Sequence, residues 1–298
     1  MKQPTLPAAL CVLGSTGSVG VQTLDVARAC RIPVVMLSGG QNAALMERQA
    51  REFLPPLVVM ADERAAADLA VRLADTSVSV RGGSEAVCEG VAACGADTVL
   101  NAILGQAGLL PTLAAVRSAG RLALANKESL VIAGAIVRAE CARTGCELLP
   151  VDSEHSAIRQ CLAASPDAEV RRLLLTASGG PFFGYTPERL RSVTVEETLG
   201  HPTWKMGAKI TVDSATMMNK GFEVIEAVHL FGVPEDRIDV LIHRESIIHS
   251  AVEYIDRAVI AQLALPDMRT CIAYALTAPG RVDAGVGALD LARVGRLT

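Results

Sequence analysis

Two short segments of this chain bring together residue types that could hold a metal ion and an anionic substrate. Residues 151–155 read Val-Asp-Ser-Glu-His, and residues 218–223 read Met-Asn-Lys-Gly-Phe-Glu. Asp152 and Glu154 alternate at the end of a predicted strand, a spacing that directs both side chains to one side of an extended backbone. Carboxylate oxygens favour Mg²⁺ or Mn²⁺ over zinc. Together with Glu223, these carboxylates form a candidate site for one of these ions.

The same residues could also have purely structural roles. Asp152 or Ser153 could cap a helix that begins after the strand, and Glu223 could lie on the exposed face of a helix. Asn219 and Lys220 favour the functional interpretation, because a neutral donor and a positive charge on one short segment suit a phosphate or a sugar hydroxyl. We therefore predict that the two segments bind a metal ion and an oxygen-rich substrate.

A glycine-rich segment near the N-terminus, residues 14–20 (Gly-Ser-Thr-Gly-Ser-Val-Gly), follows a predicted strand and opens a predicted helix. Glycines in this position let the backbone approach a pyrophosphate at the helix N-terminus, so the segment predicts a dinucleotide site. A tight turn without a ligand is the alternative. Residues 38–42 (Ser-Gly-Gly-Gln-Asn), after the second predicted strand, offer no carboxylate to the ribose 2′-hydroxyl of NAD, which favours NADP.

A third polar segment, residues 125–129 (Ala-Asn-Lys-Glu-Ser), closes one predicted strand and begins a helix. In a doubly wound sheet, this edge is where ligands bind. Lys127 could reach a substrate oxygen, and Glu128 could contact the cofactor or the lysine; a solvated first turn is the alternative. Four histidines are interpreted as structural rather than catalytic: His155, His229, His243 and His249.

Short apolar runs alternate with amphipathic or alanine-rich segments up to residue 150, which predicts an α/β fold with a Rossmann-like, doubly wound parallel sheet. The predicted strands are 9–13, 34–37, 57–60, 98–102, 122–125 and 147–151, and the predicted helices are 18–29, 43–52, 63–74 and 128–143. Later predicted strands at 240–243 and 259–263 indicate an α+β domain. We therefore predict an NADPH-binding domain at 1–150, a catalytic domain at 151–280 and the start of a linker at 281–298.

The composition argues against several classes of protein. The chain has 298 residues, a formal net charge of −4 and 3% aromatic residues, which argues against nucleic acid as a main partner. Its longest uncharged run, residues 98–116, is interrupted by glycine, proline and polar residues, so we predict no transmembrane helix and no membrane partner. The N-terminus lacks the pattern of a secretory signal. Eight cysteines without a Cys-x-x-Cys pair indicate reduced thiols, and we expect a cytoplasmic protein.

Several long motifs of the chain closely resemble the 1-deoxy-D-xylulose 5-phosphate reductoisomerase family. The resemblance is collinear across essentially the whole chain and rests on residues 14–20, 125–129, 149–155, 177–182, 201–207 and 212–221. It implies an NADPH-dependent conversion of 1-deoxy-D-xylulose 5-phosphate, a phosphorylated sugar, to 2-C-methyl-D-erythritol 4-phosphate in the non-mevalonate isoprenoid pathway. It also implies a homodimer, and a divalent ion, Mg²⁺ or Mn²⁺, that chelates substrate oxygens while the carbon skeleton rearranges.

The resemblance assigns roles to individual positions. Catalytic positions are matched by Lys127, Asp152, Glu154, Glu223 and His201, and the three carboxylates among them match the metal ligands. Substrate-binding positions are matched by Lys127, Ser153, Glu154, Ser178, His201, Ser214, Asn219, Lys220 and Glu223. Cofactor-binding positions are matched by Thr16, Gly17, Ser18, Val19, Asn126, Glu128 and Gly207, and the loop after the second predicted strand adds Gly40, Gln41 and Asn42. A segment resembling the family's mobile lid contains Trp204 and Met206.

The chain departs from the family pattern in three places. Gln41 stands where a basic residue is common in relatives, so one charge partner for a 2′-phosphate is absent. Residues 243–246 read His-Arg-Glu-Ser instead of His-Pro-Gln-Ser, a change that we expect to affect packing more than chemistry. The chain ends at Thr298, where full-length members continue into a C-terminal helical domain, so a truncated enzyme is expected.

Two other functions fit part of the pattern. A semialdehyde dehydrogenase shares the opening turn but needs a nucleophilic cysteine instead of a metal ion. A nucleotide-binding sensor, or an inactive fragment that retains cofactor affinity, would bind NADPH without metal-dependent turnover. Sensitivity to EDTA rather than to thiol reagents would separate the reductoisomerase from the dehydrogenase.

Overall fold

Seven short strands form the first sheet of the protein. The computed structural model describes residues 5–165, 169–200, 204 and 207–297. Within them, the strands of this sheet are Leu10–Leu13 (β1), Val34–Gly39 (β2), Leu57–Met60 (β3), Ser79–Gly82 (β4), Thr98–Asn101 (β5), Arg121–Leu124 (β6) and Glu147–Pro150 (β7). All are parallel, in the order β4-β3-β2-β1-β5-β6-β7. Every residue of β1 and β5 is buried, as expected for a sheet covered on both faces.

Helices connect these strands, and several are started by side-chain caps. They are Ser18–Cys30 (α1), Ala43–Phe53 (α2), Glu63–Arg72 (α3), Ser84–Ala93 (α4), Leu109–Ser118 (α5) and Lys127–Thr144 (α6). Asn42, Asp62 and Asn126 each accept a backbone hydrogen bond at the start of α2, α3 and α6. Because β1 pairs with both β2 and β5, the strand order reverses beside β1, and this is where open α/β sheets bind ligands.

A second, mixed sheet follows. The remaining elements are Ser153–Ala164 (α7), Val170–Ala177 (β8), Pro187–Leu190 (α8), Val195–Leu199 (α9), Ala208–Ala215 (α10), Met218–Phe231 (α11), Ile238–Ile242 (β9), Ile248–Tyr254 (β10), Val259–Leu263 (β11), Met268–Thr277 (α12) and Leu291–Val294 (α13). The order of this second sheet is β11-β10-β8-β9. Among its described pairs, β8 with β9 is parallel and the other two are antiparallel. Ile158 of α7 and Ala227 of α11 pack with Leu173, Leu175 and Val252 of the sheet in one core.

The chain divides into two compact units. The first contains Met1–Asp152 and Met268–Gly285, and the second contains Ser153–Asp267 and Val286–Thr298. The sequence placed residues 151–280 in one domain and 281–298 in a linker. In the structure, α12 instead groups with the first unit, where Arg121 of β6 donates from Nη1 to the Leu276 carbonyl oxygen at 2.8 Å.

The α/β fold class, with a doubly wound parallel sheet and a second mixed sheet, is confirmed. Predicted strands 57–60 and 259–263 coincide with β3 and β11, and the others lie within two residues of their observed bounds. Of the described elements, sequence analysis missed three strands and seven helices, namely β4, β8, β10, α4, α5, α8, α9, α10, α12 and α13. The sequence of β4 is Ser-Val-Arg-Gly, a mostly exposed edge strand without an apolar run. Among the described residues, no helix is long and apolar enough to cross a membrane.

Candidate metal and substrate site

Asp152 and Glu154 lie where the last strand of the first sheet passes into α7. β7 ends at Pro150, Val151 is buried, and α7 begins at Ser153. The Ser153 hydroxyl donates a hydrogen bond to the Glu154 carboxylate. Asp152 and Glu154 therefore lie at the start of a helix, which is consistent with both the capping and the metal-binding interpretations. The side chains that contact these two carboxylates distinguish the interpretations.

Glu223 lies on α11, and its side chain is only 1% exposed. Lys220, one turn earlier, is also buried and donates from Nζ to Glu223 and to Glu154 Oε1, the latter at 3.1 Å. Asn219 Nδ2 donates to Glu223 Oε1 at 2.5 Å. Among the described residues, Asn219 Oδ1 is buried and receives no hydrogen bond, which leaves an acceptor for a ligand. Glu223 is therefore not on an exposed helix face.

Lys127 is the first residue of α6, directly after β6 and its cap Asn126. Its ammonium group donates to the Asp152 carboxylate. The two side chains are 12% and 14% exposed, so Lys127 is not the solvated residue of the alternative interpretation. Glu128, in contrast, accepts a hydrogen bond from Asn126 Nδ2 at 3.1 Å.

The three predicted metal ligands converge. One carboxylate oxygen from each of Asp152, Glu154 and Glu223 lies within 4.8 Å of the other two. Asp152 is the last residue of the first unit, and a single residue separates it from Glu154. Negative charges at this separation repel each other when partly shielded from water, and Lys127 and Lys220 offset part of that repulsion. Three carboxylate oxygens fit the ligand preference of Mg²⁺ or Mn²⁺ and leave positions for water and substrate.

His155 joins the two helices that carry Glu154 and Glu223. Its ring is fully buried, and its Nε2 lies 2.8 Å from the Glu223 carbonyl oxygen. Because a carbonyl oxygen can only accept, Nε2 must carry the proton. Nδ1 lies 3.8 Å from Glu226 Oε2. The structural interpretation of His155 is consistent with these contacts, but sequence reasoning missed that it ties α7 to α11 beside the carboxylates.

Ser178 and Ser214, two predicted substrate residues, lie on segments that touch. Ser178 follows β8 in a turn with Gly179 and Gly180, whose φ angles of +78° and +66° are left-handed. A Cβ on Gly180 would lie 2.7 Å from the Ser214 backbone oxygen, so the turn can pack on α10 only with glycine there. Arg244 Nη1 donates to the carbonyl oxygens of Ser178 and Gly180 at 2.9 and 2.7 Å. Sequence reasoning did not assign this role to Arg244.

The segment 201–207 is only partly described. His201 and Met206 lie outside the described residues, so the structure does not test their predicted roles. Trp204 is half-buried, and its ring centroid lies 6.3 Å from that of His249. Gly207 is the N-cap residue of α10, in the second unit.

The glycine-rich turn of the first unit is closely packed against neighbouring backbone. Gly14 has a φ of +76°, and a Cβ there would lie 2.8 Å from the Ala102 backbone oxygen. A Cβ on Gly20 would lie 2.2 Å from the Gly14 oxygen, so both positions require glycine. α1 begins at Ser18, and Gly17 before it has no side chain to cap the helix. The first amide groups of α1, beside the switch in strand order, suit a pyrophosphate. The predicted cofactor residues at 16–19 occupy this turn.

The loop after β2 contains the predicted cofactor residues Gly40, Gln41 and Asn42. Asn42 caps α2 by accepting from the Leu45 amide at 3.0 Å. Gln41 Nε2 donates to Asp62 Oδ2 at 3.2 Å. Asp62, from the loop after β3, thus places a carboxylate beside a loop that has none of its own, a neighbour that sequence reasoning missed. The missing carboxylate at 38–42 is therefore a weak argument for NADP over NAD.

Asn126, another predicted cofactor residue, has extensive structural contacts. It is 3% exposed and caps α6 by accepting from the Ser129 amide at 2.9 Å. Its Nδ2 donates to the carbonyl oxygens of Ile103 and Gly105 at 2.6 and 2.9 Å. Asn126 therefore fixes the loop after β5 against the start of the helix that carries Lys127.

Comparisons with known proteins agree with this geometry. The family model for 1-deoxy-D-xylulose 5-phosphate reductoisomerase matches residues 10–134, and the model for the C-terminal domain of that enzyme matches residues 148–231. The 1-deoxy-D-xylulose 5-phosphate reductoisomerase of Acetivibrio thermocellus is 53% identical over 289 residues, which cover 97% of this chain and 76% of the relative.

Two solved structures are also similar to the chain. The reductoisomerase from Zymomonas mobilis in complex with NADPH has a TM-score of 0.91 and 42% identity, covering 98% of this chain and 76% of that one. A crystal structure of DOX-P reductoisomerase in complex with NADPH, fosmidomycin and magnesium has a TM-score of 0.92 and 41% identity, covering 97% and 74%. With this similarity across both sheets and the carboxylate cluster, the chain belongs to the 1-deoxy-D-xylulose 5-phosphate reductoisomerase family.

Proposed function

We propose that this chain catalyses the NADPH- and metal-dependent rearrangement and reduction of 1-deoxy-D-xylulose 5-phosphate to 2-C-methyl-D-erythritol 4-phosphate. The observation that carries the proposal is the convergence of Asp152, Glu154 and Glu223 within 4.8 Å. Family relatives with bound NADPH and magnesium support the choice of cofactors. The reaction needs both a hydride donor and a Lewis acid, and the chain offers a candidate site for each.

Asp152, Glu154 and Glu223 would hold Mg²⁺ or Mn²⁺ through one oxygen each. When bound, the ion supplies a Lewis acid that polarises substrate oxygens, and NADPH supplies the hydride. The carboxylates themselves have a second task, because they set the positions of Lys127 and Lys220. Among the five charged side chains of the site, Glu154 is the most exposed, at 19%, so competition from water for these groups is limited.

The cationic and neutral donors of the site would bind the rest of the substrate. Lys127, beside Asp152, would donate to an oxygen at the reacting carbons and hold its developing negative charge. Lys220 and Asn219 would donate to sugar hydroxyl or phosphate oxygens, since both already donate to carboxylate oxygens. Ser153 and Ser178 would add hydroxyl donors, and Ser214 and His201 complete the proposed substrate set.

The first unit would bind NADPH at the glycine-rich turn. The amide groups at the start of α1, with Thr16, Gly17, Ser18 and Val19, would hold the pyrophosphate. Gly40, Gln41 and Asn42 would lie near the adenosine ribose, where Gln41 offers an amide rather than a positive charge to a 2′-phosphate. Asn126 and Glu128 remain proposed cofactor contacts, and so does Gly207 of the second unit.

The semialdehyde dehydrogenase alternative needs a reactive cysteine, and three thiols, those of Cys11, Cys94 and Cys161, give it little support. Burial raises the pKa of Cys161 to about 11, and burial also raises the pKa of Cys11 above its usual value. The pKa of Cys94 is lowered to about 6, but the main cause is a hydrogen bond with buried Cys11 and not a histidine. The nucleophilic thiolate of such a dehydrogenase would lie beside a general base and be accessible to the substrate.

A homodimer and a cytoplasmic location are further parts of the proposal. The homodimer rests on the family resemblance, and sedimentation of the purified chain would test it. The location is supported by eight free cysteines, because secreted proteins generally form disulfides.

The deciding experiment is NADPH oxidation by the 298-residue chain, with and without the sugar phosphate and with and without Mn²⁺. We expect turnover only when both are present, loss of turnover on adding EDTA, and little effect of a thiol reagent. NADPH binding without turnover would instead favour a chain that only binds nucleotide. Inhibition by the thiol reagent, with no effect of EDTA, would favour the dehydrogenase.

A further inference from the structure

We propose that Arg244 is a positioning residue for the phosphorylated substrate, because it fixes the turn that carries Ser178 against the helix that carries Ser214. This inference deepens the proposed function and rests on it. Arg244 belongs to residues 243–246, where the sequence departs from the usual family motif, and the departure was expected to affect packing more than chemistry.

The guanidinium group of Arg244 grips the turn at two points. Nη1 donates to the carbonyl oxygens of Ser178 and Gly180 at 2.9 and 2.7 Å. The Arg244 guanidinium carbon also lies 5.0 Å from the centroid of the Phe183 ring, a cation–π distance. The same side chain therefore contacts the carbonyl oxygens of Ser178 and Gly180 and the ring of Phe183, three residues after Gly180.

Strand pairing delivers Arg244 to this place. β8 and β9 are parallel, with Ala177 opposite Ile242, and the His243 amide donates to the Ala177 carbonyl oxygen at 2.8 Å. Ser178 is the first residue after β8, and Arg244 is the second residue after β9. The register of β8 and β9 therefore places Arg244 beside the turn that contains Ser178.

The backbone around Arg244 is held by His243. This ring is buried, and its Nε2 accepts hydrogen bonds from the amides of Ile247 and Ile248, both at 3.1 Å. Since Nε2 accepts, the proton of the neutral ring is on Nδ1, which lies 3.2 Å from Glu245 Oε2. His243 thus holds the turn that contains Arg244. We call the contacts of Arg244 with Ser178, Gly180 and Phe183 the clamp, and the backbone that carries it is fixed by these hydrogen bonds.

The clamp matters for substrate because of what it does to the Ser178 turn. Two consecutive left-handed glycines give a backbone with many alternative conformations, and Arg244 selects one in which Gly180 packs against the Ser214 backbone. It also covers two carbonyl oxygens, whose partial negative charge would repel a phosphate, and adds a positive charge nearby. None of these contacts involves the carboxylate cluster. Loss of Arg244 should therefore weaken substrate binding more than it slows the chemical steps.

The test compares Arg244→Ala, Arg244→Lys and Arg257→Ala in the 298-residue chain with saturating NADPH and Mn²⁺. Arg257 is a control from the same unit, 63% exposed and paired with Glu253 at 3.5 Å. For Arg244→Ala we expect KM for the sugar phosphate to rise about tenfold, equivalent to ~1.4 kcal/mol, with kcat within about twofold and KM for NADPH unchanged. Arg244→Lys should recover part of the loss, because an ammonium group can still donate to the carbonyl oxygens but lacks the planar guanidinium fork. Arg257→Ala should match the wild type.

Several results would overturn the inference. One is a KM for the sugar phosphate in Arg244→Ala that stays within about twofold of the wild type; another is an equal rise in KM for NADPH, which would indicate a general loss of structure. If Arg244→Ala does not fold, as judged by thermal unfolding, Arg244→Lys decides: an unchanged KM refutes the clamp and a raised KM with normal kcat supports it. Failure of the proposed function is separate, because the wild-type chain would then show no metal-dependent turnover; calorimetric binding of the sugar phosphate would still compare the variants.

Discussion

Glu223→Gln tests the carboxylate cluster most directly, because the substitution removes one negative charge and almost no volume. At about 4 Å and an effective dielectric constant near 20, a divalent ion and one carboxylate charge interact by about 8 kcal/mol, twice the value for two unit charges. In the wild type, the ion must first weaken the contact between Lys220 and Glu223, which offsets part of that gain. We therefore expect Mn²⁺ affinity to fall by about a hundredfold to a thousandfold, and turnover to fall at least as far.

The assay has two readouts. Free Mn²⁺ measured by electron paramagnetic resonance gives the metal affinity, and the loss of NADPH absorbance gives turnover across a Mn²⁺ titration. NADPH affinity should stay within about twofold of the wild type, because the glycine-rich turn lies in the other unit. Glu253→Gln is the matched control: its side chain is 7% exposed in the same unit, but it pairs with arginines and lies outside the cluster.

Stability must be recorded alongside. Glu223→Gln removes a carboxylate partner of the buried Lys220 ammonium, which keeps its contact with Glu154 at 3.1 Å. Leaving a buried charge without any partner costs about 3–5 kcal/mol; because Lys220 keeps Glu154, we expect a smaller loss, seen as a lower unfolding midpoint with retained NADPH binding. The reasoning is refuted if Glu223→Gln binds Mn²⁺ within about threefold of the wild type, or if Glu253→Gln loses Mn²⁺ affinity equally.

Three further perturbations have defined outcomes. The hydrogen bond from Arg172 lowers the pKa of Glu253 to about 2. The Glu253 carboxylate therefore stabilises the fold at pH values above its usual pKa, and this contribution is lost as the pH falls toward 2. The urea midpoint of Glu253→Gln should therefore decline less on acidification than that of the wild type. Gly20→Ala would place a Cβ 2.2 Å from a backbone oxygen and should abolish NADPH binding measured by fluorescence, whereas unaltered affinity would refute the role of the turn. Gly184→Ala, left-handed but in open space, should cost about 1–2 kcal/mol in urea unfolding, and Gly180→Ala, which also overlaps Ser214, should cost clearly more.

The fold was predictable where burial demands a simple pattern. β1 is covered on both faces and consists of four buried apolar residues, so its apolar run is visible in the sequence. β10 was not, because it buries polar side chains whose partners are distant in the chain. Ser250 Oγ accepts from the Thr176 amide at 3.2 Å, and Glu253 pairs with Arg171 at 2.7 Å. Such pairs interrupt the alternation on which a strand prediction depends.

The residues of the candidate site could be predicted from the sequence, but their burial and their distant contacts could not. Residue types and spacing were enough to select Asp152, Glu154 and Glu223, because three carboxylates with a lysine and an asparagine nearby are the donor set of a metal and anion site. Spacing could not show that Glu223 and Lys220 are buried, since burial depends on packing between α7 and α11. Nor could it place Asp62 beside Gln41, because that contact joins loops after two different strands.

The positions of Lys127 and Lys220 have a consequence for the order in which this protein matures. In many small metal proteins the ion supplies the free energy of folding, and the polypeptide is unfolded without it. Here each acidic side chain of the cluster already has an ammonium group of the chain beside it. We therefore expect the protein to reach its native fold before an ion arrives, so that metal binding exchanges an internal counter-ion for an external one. Because the carboxylates keep these ammonium partners, the chain should remain folded through cycles in which the ion leaves.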